Sequence, residues 1–290
     1  MNIAWIGTGI MGSPMCGHLL AAGNSVSVYT RTRAKAKSVL DAGAVWAETP
    51  AAATGRAEII FSIVGFPHDV EEIYFGDDGI LSGLKPGSVI VDMTTSSPDL
   101  AARIAKAAAT VGAGAIDAPV SGGDVGAREA TLAIMCGGDS ASFSRVKPLL
   151  ETMGKTVELM GPAGAGQHTK MANQILIAGT MIGVVESLIY SDAAGLDVSH
   201  VIDVIGSGAA SSWSINNLGR RIARGDMAPG FMIRHFVKDM GVALAEAKRM
   251  GIALPGLALV EQFYEAALAQ DLGDRGTQAL YEVIRTLNRR

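Results

Sequence analysis

Ile3-Ala4-Trp5-Ile6-Gly7-Thr8-Gly9-Ile10-Met11-Gly12-Ser13-Pro14 is the stretch whose reading sets the rest of the chain. Ile3 to Ile6 is a short apolar run of the kind that forms a buried strand. Gly7, Thr8, Gly9, Ile10, Met11 and Gly12 then fit G-x-G-x-x-G, and a helical pattern follows from Pro14 to Ala22. The first glycine permits a tight turn, the second lets backbone approach a pyrophosphate, and the third lets the helix pack on the strand. The N–H groups and positive dipole at the helix start favour phosphate. In this strand–turn–helix setting the stretch reads as a dinucleotide cradle. Glycines placed only for packing are the alternative.

The same region has no Lys, Arg, Asp or Glu from Ile3 to Thr30, which a hydropathy scan would flag as a leader or a membrane span. Only Met1 and Asn2 precede it, with no basic start, and five glycines and Pro14 interrupt it. The apolar run Ile175–Val185 is shorter than the about 20 residues a span needs. No membrane association is expected.

Further along, strand-like runs at Val26–Tyr29, Ile59–Val64, Val89–Asp92, Ala115–Ala118 and Leu132–Met135 alternate with Ala-rich helical stretches such as Arg33–Ala42 and Pro98–Val111. That alternation predicts an α/β, Rossmann-like, doubly wound parallel sheet. After Gly161-Pro162-Ala163-Gly164 convincing strands stop. Gln167–Ala194 reads as one long, nearly uncharged helix, of the buried kind. Helices are expected after it at Val198–Ile205, Ser214–Ala223, Val237–Arg249, Leu257–Ala269 and Thr277–Arg289. The expected organisation is a nucleotide-binding domain at 1–162 and an all-α domain with a long central helix at 163–290.

The net charge of −4 over 290 residues gives no general attraction to nucleic acid or an acidic membrane surface. Cys16 and Cys136 have neither metal-ligand spacing nor a disulfide pattern, so reduced thiols in a cytoplasmic protein without a metal are expected. An NAD site usually ends its second strand with Asp or Glu. Here Tyr29-Thr30-Arg31-Thr32-Arg33 is followed by Lys35, with no carboxylate before Asp41. Arg31 suits a 2′-phosphate, and the Thr30 and Thr32 hydroxyls add donors. NADP is therefore preferred, with NAD as the other candidate; a solvated basic turn is the alternative.

Three more segments bear on chemistry. In Asp117-Ala118-Pro119-Val120-Ser121-Gly122-Gly123, a hydroxyl and consecutive amides suit a carboxylate, though a plain turn is an equal reading. In Gly166-Gln167-His168-Thr169-Lys170-Met171-Ala172-Asn173-Gln174, helical spacing puts Lys170, Asn173 and Gln174 on one face. A desolvated lysine can give a proton to an alkoxide and retrieve it; a lysine snorkelling from a helix start is the alternative. His168 points elsewhere. In Phe231-Met232-Ile233-Arg234-His235-Phe236-Val237-Lys238-Asp239, the last two residues are expected to open a helix after an aromatic turn.

Together, the cofactor block Ile6–Met15, Asp117–Gly123, Gly161–Gln174 and Lys238-Asp239 resemble, in order, the blocks of the β-hydroxyacid dehydrogenase family. That family includes 3-hydroxyisobutyrate dehydrogenases, tartronate semialdehyde reductases and glyoxylate/succinic semialdehyde reductases. The resemblance covers nearly the whole chain. It implies Lys170 as general acid/base, and Ser121, Gly122 and Gly123 on the substrate carboxylate. It implies Asn173 or Gln174 orienting the substrate, and Thr95 and Lys238 beside the nicotinamide. Val64 and Gly65, ending the third strand, would line the adenosine side. Phe231 and Asp239 would face the substrate as in the glyoxylate-reducing branch, and Trp213 would wall the pocket or pack between helices. Gln174 stands where the family often has Asn, an Asn-Gln order shared with tartronate semialdehyde reductases, and Met240 replaces Leu. An imine reductase has a similar plan but generally lacks the lysine, and a non-catalytic NADP-binding module is the reading from another class. The implied partner is a small carboxylate-bearing aldehyde or hydroxyacid. A homodimer or homotetramer is expected.

Overall fold

The computed structural model describes residues 1–288, so the end of the helix expected to reach Arg289 lies outside the described residues. Nine strands form one sheet: β1 (Asn2–Ile6), β2 (Ser25–Tyr29), β3 (Val45–Trp46), β4 (Ile59–Ser62), β5 (Val89–Asp92), β6 (Gly114–Asp117), β7 (Val120–Ser121), β8 (Leu132–Gly138) and β9 (Gly154–Gly161). The helices that position the site are α1 (Gly12–Ala21), α2 (Pro67–Phe75), α3 (Pro98–Thr110), α4 (Gly123–Arg128), α5 (Ala165–Ala193) and α6 (Ile233–Met250). The chain divides into two compact units, Met1–Lys170 and Met171 onward.

In the first unit the first six strands lie in the order β3-β2-β1-β4-β5-β6, all parallel. This is the doubly wound order, and its reversal falls between β1 and β4, directly at the Gly7 turn. The sheet is not parallel throughout. Beyond β6, strands β6 and β7 both pair antiparallel with β8, while β9 returns parallel to β8. Alternation along the strands sends side chains to two cores. Ile3, Trp5, Phe61 and Val91 join Met15 and Leu19 of α1, while Ala4, Ile6, Ile60 and Ile90 join Leu100 and Ile104 of α3. Helix α3 starts where Ser97 accepts from the Leu100 amide at 3.1 Å and Pro98 occupies the first turn.

Strands β3, β7 and β9 carry too short or too mixed an apolar pattern to stand out in sequence. The third expected strand stops at Ser62, which leaves Val64 and Gly65 in the loop that follows.

The second unit is all helical, with a core of Met181, Val185, Leu188, Phe236, Met240 and Tyr264. Phe236 meets Tyr264 edge-on at 5.1 Å between ring centroids. The long helix α5 starts in the first unit and continues into this one. It is a single element of 29 residues, long and apolar enough to cross a bilayer by length and composition. Core helices of globular units pass the same test; Ala178, Met181, Val184, Val185 and Leu188 are buried in this one, but only 33% of its apolar window is, and Leu176 and Tyr190 are exposed, so the helix is less buried than its sequence suggests. The helix expected at Ser214–Ala223 forms, wound as a π-helix over Ser214–Gly219, just after Trp213, and as an α-helix over Arg220–Ala223.

Candidate active site

Two glycines of the first turn, Gly7 and Gly12, are required sterically. Gly7 has φ +101°, and a Cβ on it would lie 2.1 Å from the Ile63 carbonyl oxygen. A Cβ on Gly12 would lie 2.1 Å from the Gly7 oxygen, which also accepts from the Trp5 indole N–H at 2.7 Å. Only at Gly9 would an added Cβ meet nothing within 4 Å, so backbone faces open space there. The Thr8 hydroxyl is buried and has no hydrogen-bond partner in the protein. An open backbone face, an orphaned hydroxyl and the start of α1 behind Ile10 and Met11 fit a dinucleotide pyrophosphate.

At the neighbouring strand end, Thr30 is buried, while Arg31 and Thr32 are exposed. Arg31 Nη1 donates to Asp69 Oδ1 at 3.1 Å. The Arg33 guanidinium lies 5.1 Å from the centre of the Trp46 ring, a cation–π arrangement. The Val64 amide donates to Thr94 Oγ1 at 3.0 Å, which ties the loop after β4 to the loop after β5.

That second loop carries Thr95. It is clamped by Gln167, a residue the sequence reading passed over. Gln167 is fully buried; its Nε2 donates to the Thr94 carbonyl at 2.7 Å and its Oε1 accepts from the Ser96 amide at 2.9 Å. The two bonds bracket Thr95. Asp117, at the end of β6, accepts from the Gly164 amide at 2.7 Å and the Gln167 amide at 2.8 Å. It therefore caps the helix start that leads to Lys170. Burial pushes the Asp117 carboxyl up. Asp92, its register partner on β5, accepts from Ser62 Oγ at 2.9 Å and the Thr94 amide at 3.1 Å. Burial pushes Asp92 up to about 6 despite those bonds. Lys170 is buried, at 6% exposure, and His168 is exposed.

Ser121 ends β7. Gly122 and Gly123 follow with φ +133° and +64°, and a Cβ on Gly122 would press on Leu132. Both positions call for glycine, and the paired left-handed geometry turns successive amides one way.

In the helical unit, side chains form a chain of polar contacts. Asn173 Nδ2 donates to Gln174 Oε1 at 2.7 Å, and Gln174 Nε2 donates to Asp239 Oδ2 at 2.6 Å. The Lys238 ammonium is 2.8 Å from Asp239 Oδ1, in ion-pair contact but not aligned as a hydrogen bond. Asp239 is 1% exposed. Lys238 and Asp239 do not open their helix. Helix α6 begins at Ile233, because the Ile233 and Arg234 amides are taken by the Arg275 and Gly273 carbonyls and need no cap residue. Phe231 lies 5.6 Å from Phe236 between ring centroids, and Trp213 is exposed, which removes its core-packing reading. Arg220, Arg221, Arg234 and Arg249 of this unit are in ion pairs, with Asp203, Asp226, Asp274 and Glu246 respectively. Cys16 and Cys136 are free and buried, their thiols pushed up to about 12 by burial, and no metal-binding cluster occurs among the described residues.

Asp69, Asp117 and Gln167 thus carry structural weight that the sequence reading did not assign. The only signals in sequence were an Asp closing a strand run and a Gln in the first turn of a helix.

Residues 2–161 match the family described as the NAD binding domain of 6-phosphogluconate dehydrogenase. Residues 164–284 match the one described as the NAD-binding of NADP-dependent 3-hydroxyisobutyrate dehydrogenase. The chain is 51% identical over 288 residues to a probable 3-hydroxyisobutyrate dehydrogenase-like protein 1, mitochondrial, of Arabidopsis thaliana, covering 99% of this chain and 86% of the relative. It is 39% identical over 284 residues to the 2-hydroxy-3-oxopropionate reductase of Escherichia coli, covering 98% and 97%. A solved structure described as Psf3 in complex with NADP+ and 2-OPP superposes with a TM-score of 0.90 at 27% identity, covering 97% of this chain and 99% of that one.

Proposed function

Because the chain belongs to the β-hydroxyacid dehydrogenase family of NAD(P)-binding oxidoreductases, we propose that it is an NADP-preferring enzyme acting on a small β-hydroxyacid or its semialdehyde, with Lys170 moving the proton. The observation that carries this is the seating of Lys170. A buried ammonium follows a helix start that Asp117 caps and Gln167 ties to the loop of Thr95.

The nicotinamide, when bound, supplies or accepts the hydride. The chain's part is to hold the carbonyl and manage charge. The Ser121 hydroxyl and the Gly122 and Gly123 amides take the substrate carboxylate. Lys170 Nζ gives its proton to the oxygen that becomes the alcohol, and takes it back in oxidation. Asn173 and Gln174 orient the substrate, and Asp239, held by Gln174 and Lys238, fixes both amides. Phe231 and Trp213 are the aromatic residues assigned to the substrate. At the other end Arg31, with Thr30 and Thr32, takes the 2′-phosphate. The substrate class comprises glyoxylate, succinic semialdehyde, tartronate semialdehyde and the 3-hydroxyisobutyrate pair. Exposed Leu176, Tyr190, Val204 and Leu259 in the helical unit support a homodimer or homotetramer.

The test is turnover of these aldehydes with NADPH and NADH, for the parent and Lys170→Ala. The expected result is NADPH-preferring reduction, and a kcat lowered about a thousandfold or more by Lys170→Ala with NADPH binding retained. Full activity in Lys170→Ala would sink the assignment. A parent that binds NADPH but reduces none of these aldehydes would favour the non-catalytic module.

A further inference from the structure

Asp69 stands at the third position of α2, and each of its carboxylate oxygens has its own task. Oδ2 accepts from the Phe66 amide at 3.0 Å, which closes the helix start. Oδ1 accepts from Arg31 Nη1 at 3.1 Å. The carboxylate side chain is 11% exposed, whereas that of Arg31 is 80% exposed. His68, next along the helix start, stacks its ring on Phe66 at 5.5 Å and leaves Nε2 3.7 Å from the same Oδ1.

An arginine this exposed ordinarily samples many rotamers, and holding it still has an entropic cost. Here one nitrogen of its fork is pinned by a carboxylate that is itself pinned by backbone. The pairing is single-pointed: it is one hydrogen bond, from Nη1, rather than a bidentate fork. The remaining edge is the part of a guanidinium that pairs bidentately with a phosphate. The arrangement also sets the sign of the local field. A bare carboxylate at this turn would repel a 2′-phosphate, but Asp69 points its charge into the guanidinium and its other oxygen into a helix start. Arg33 is parked on Trp46, so Arg31 is the member of the basic turn held in one orientation by a buried acid.

We propose that Asp69 is a specificity-determining positioning residue, which holds Arg31 so that its outer edge meets the 2′-phosphate of NADPH. The proposal rests on the reading of Arg31 as the 2′-phosphate ligand. A carboxylate that only started α2 would serve NADPH and NADH alike.

The experiment uses the full chain as the parent, Arg31→Ala, Asp69→Asn and the double variant. KM and kcat are measured with both cofactors, and calorimetry follows adenosine 2′,5′-bisphosphate against adenosine 5′-monophosphate. Arg31→Ala should raise the KM for NADPH about ten- to hundredfold. Asp69→Asn, whose side-chain oxygen still serves the Phe66 amide, should raise it about three- to fivefold, with kcat and the KM for NADH unchanged. Binding of the bisphosphate should weaken in parallel, and that of the monophosphate should not. On the Arg31→Ala background, Asp69→Asn should no longer raise the KM for NADPH, and removal of the now bare carboxylate should lower it modestly. Asp69→Ser, which caps the helix but cannot reach Arg31, repeats the test should the amide variant not fold. The proposal falls if both cofactors are affected equally, or if the acid's effect persists in full without Arg31. If Arg31→Ala leaves the KM for NADPH unmoved, the 2′-phosphate reading falls as well. If Arg31→Ala raises it and Asp69→Asn does not, only the role of Asp69 is lost.

Discussion

A methyl group added at Gly12 would sit 2.1 Å from a backbone oxygen, whereas Gln174 meets its carboxylate partner, Asp239, from 65 residues away. The nucleotide turn is shaped by exclusion, since Gly7 and Gly12 leave room that only backbone can use. The polar chain of the helical unit is shaped by satisfaction, since each buried amide or carboxylate needs the next one. The first kind of site tolerates almost no change at its defining positions and is expected to fail through the cofactor. The second is expected to fail by degrees, through stability and substrate handling.

The sharpest way to break that contrast is Gly12→Ala. Backbone cannot move aside as a flexible side chain would, so the turn must open. We expect NADPH affinity to fall by at least about a hundredfold, or the chain not to fold, as with other overpacked sites. Calorimetric titration with NADPH checks this, and near-parental affinity would show that the turn is not held as described.

Asp92 sharpens the contrast from within the sheet, because there the first unit does depend on side-chain satisfaction. Its carboxyl is raised from 3.8 to about 6 in the folded chain. Below the unfolded value both states are protonated and burial brings no charge penalty. As pH rises toward 6 the unfolded chain ionises first, so folding loses about 3 kcal/mol over that window and little above it. Urea unfolding of the parent and Asp92→Asn from pH 4 to pH 7 should show the parent losing ground by that amount. A pH-independent difference would remove the buried charge from the account.

The smallest effect is expected on the helical side. Gln174→Leu leaves Asp239 short of a donor, so unfolding free energy should fall by about 1–3 kcal/mol. NADPH affinity should hold, while kcat/KM for the aldehyde drops about tenfold. A loss of NADPH affinity comparable to that of Gly12→Ala would erase the distinction between the two regions.

The sequence by itself determined the strand–turn–helix at Gly7–Gly12, the alternation of strands with helices and the switch to an all-helical second unit. Each of these is local: a backbone angle only glycine adopts freely, a two-residue alternation, an apolar run of helical length. It also picked out Lys170 by type, a lone cation entering an apolar helix. Tertiary structure alone decided what surrounds these residues. Gln167 brackets Thr95 from 71 and 73 residues along the chain, and Asp69 reaches Arg31 across 38. Likewise α6 starts at Ile233 rather than near Lys238 because carbonyls of Gly273 and Arg275 reach its first amides. Such bonds depend on which loops the sheet order sets side by side, and no short-range preference of a Gln or an Asp encodes that neighbour.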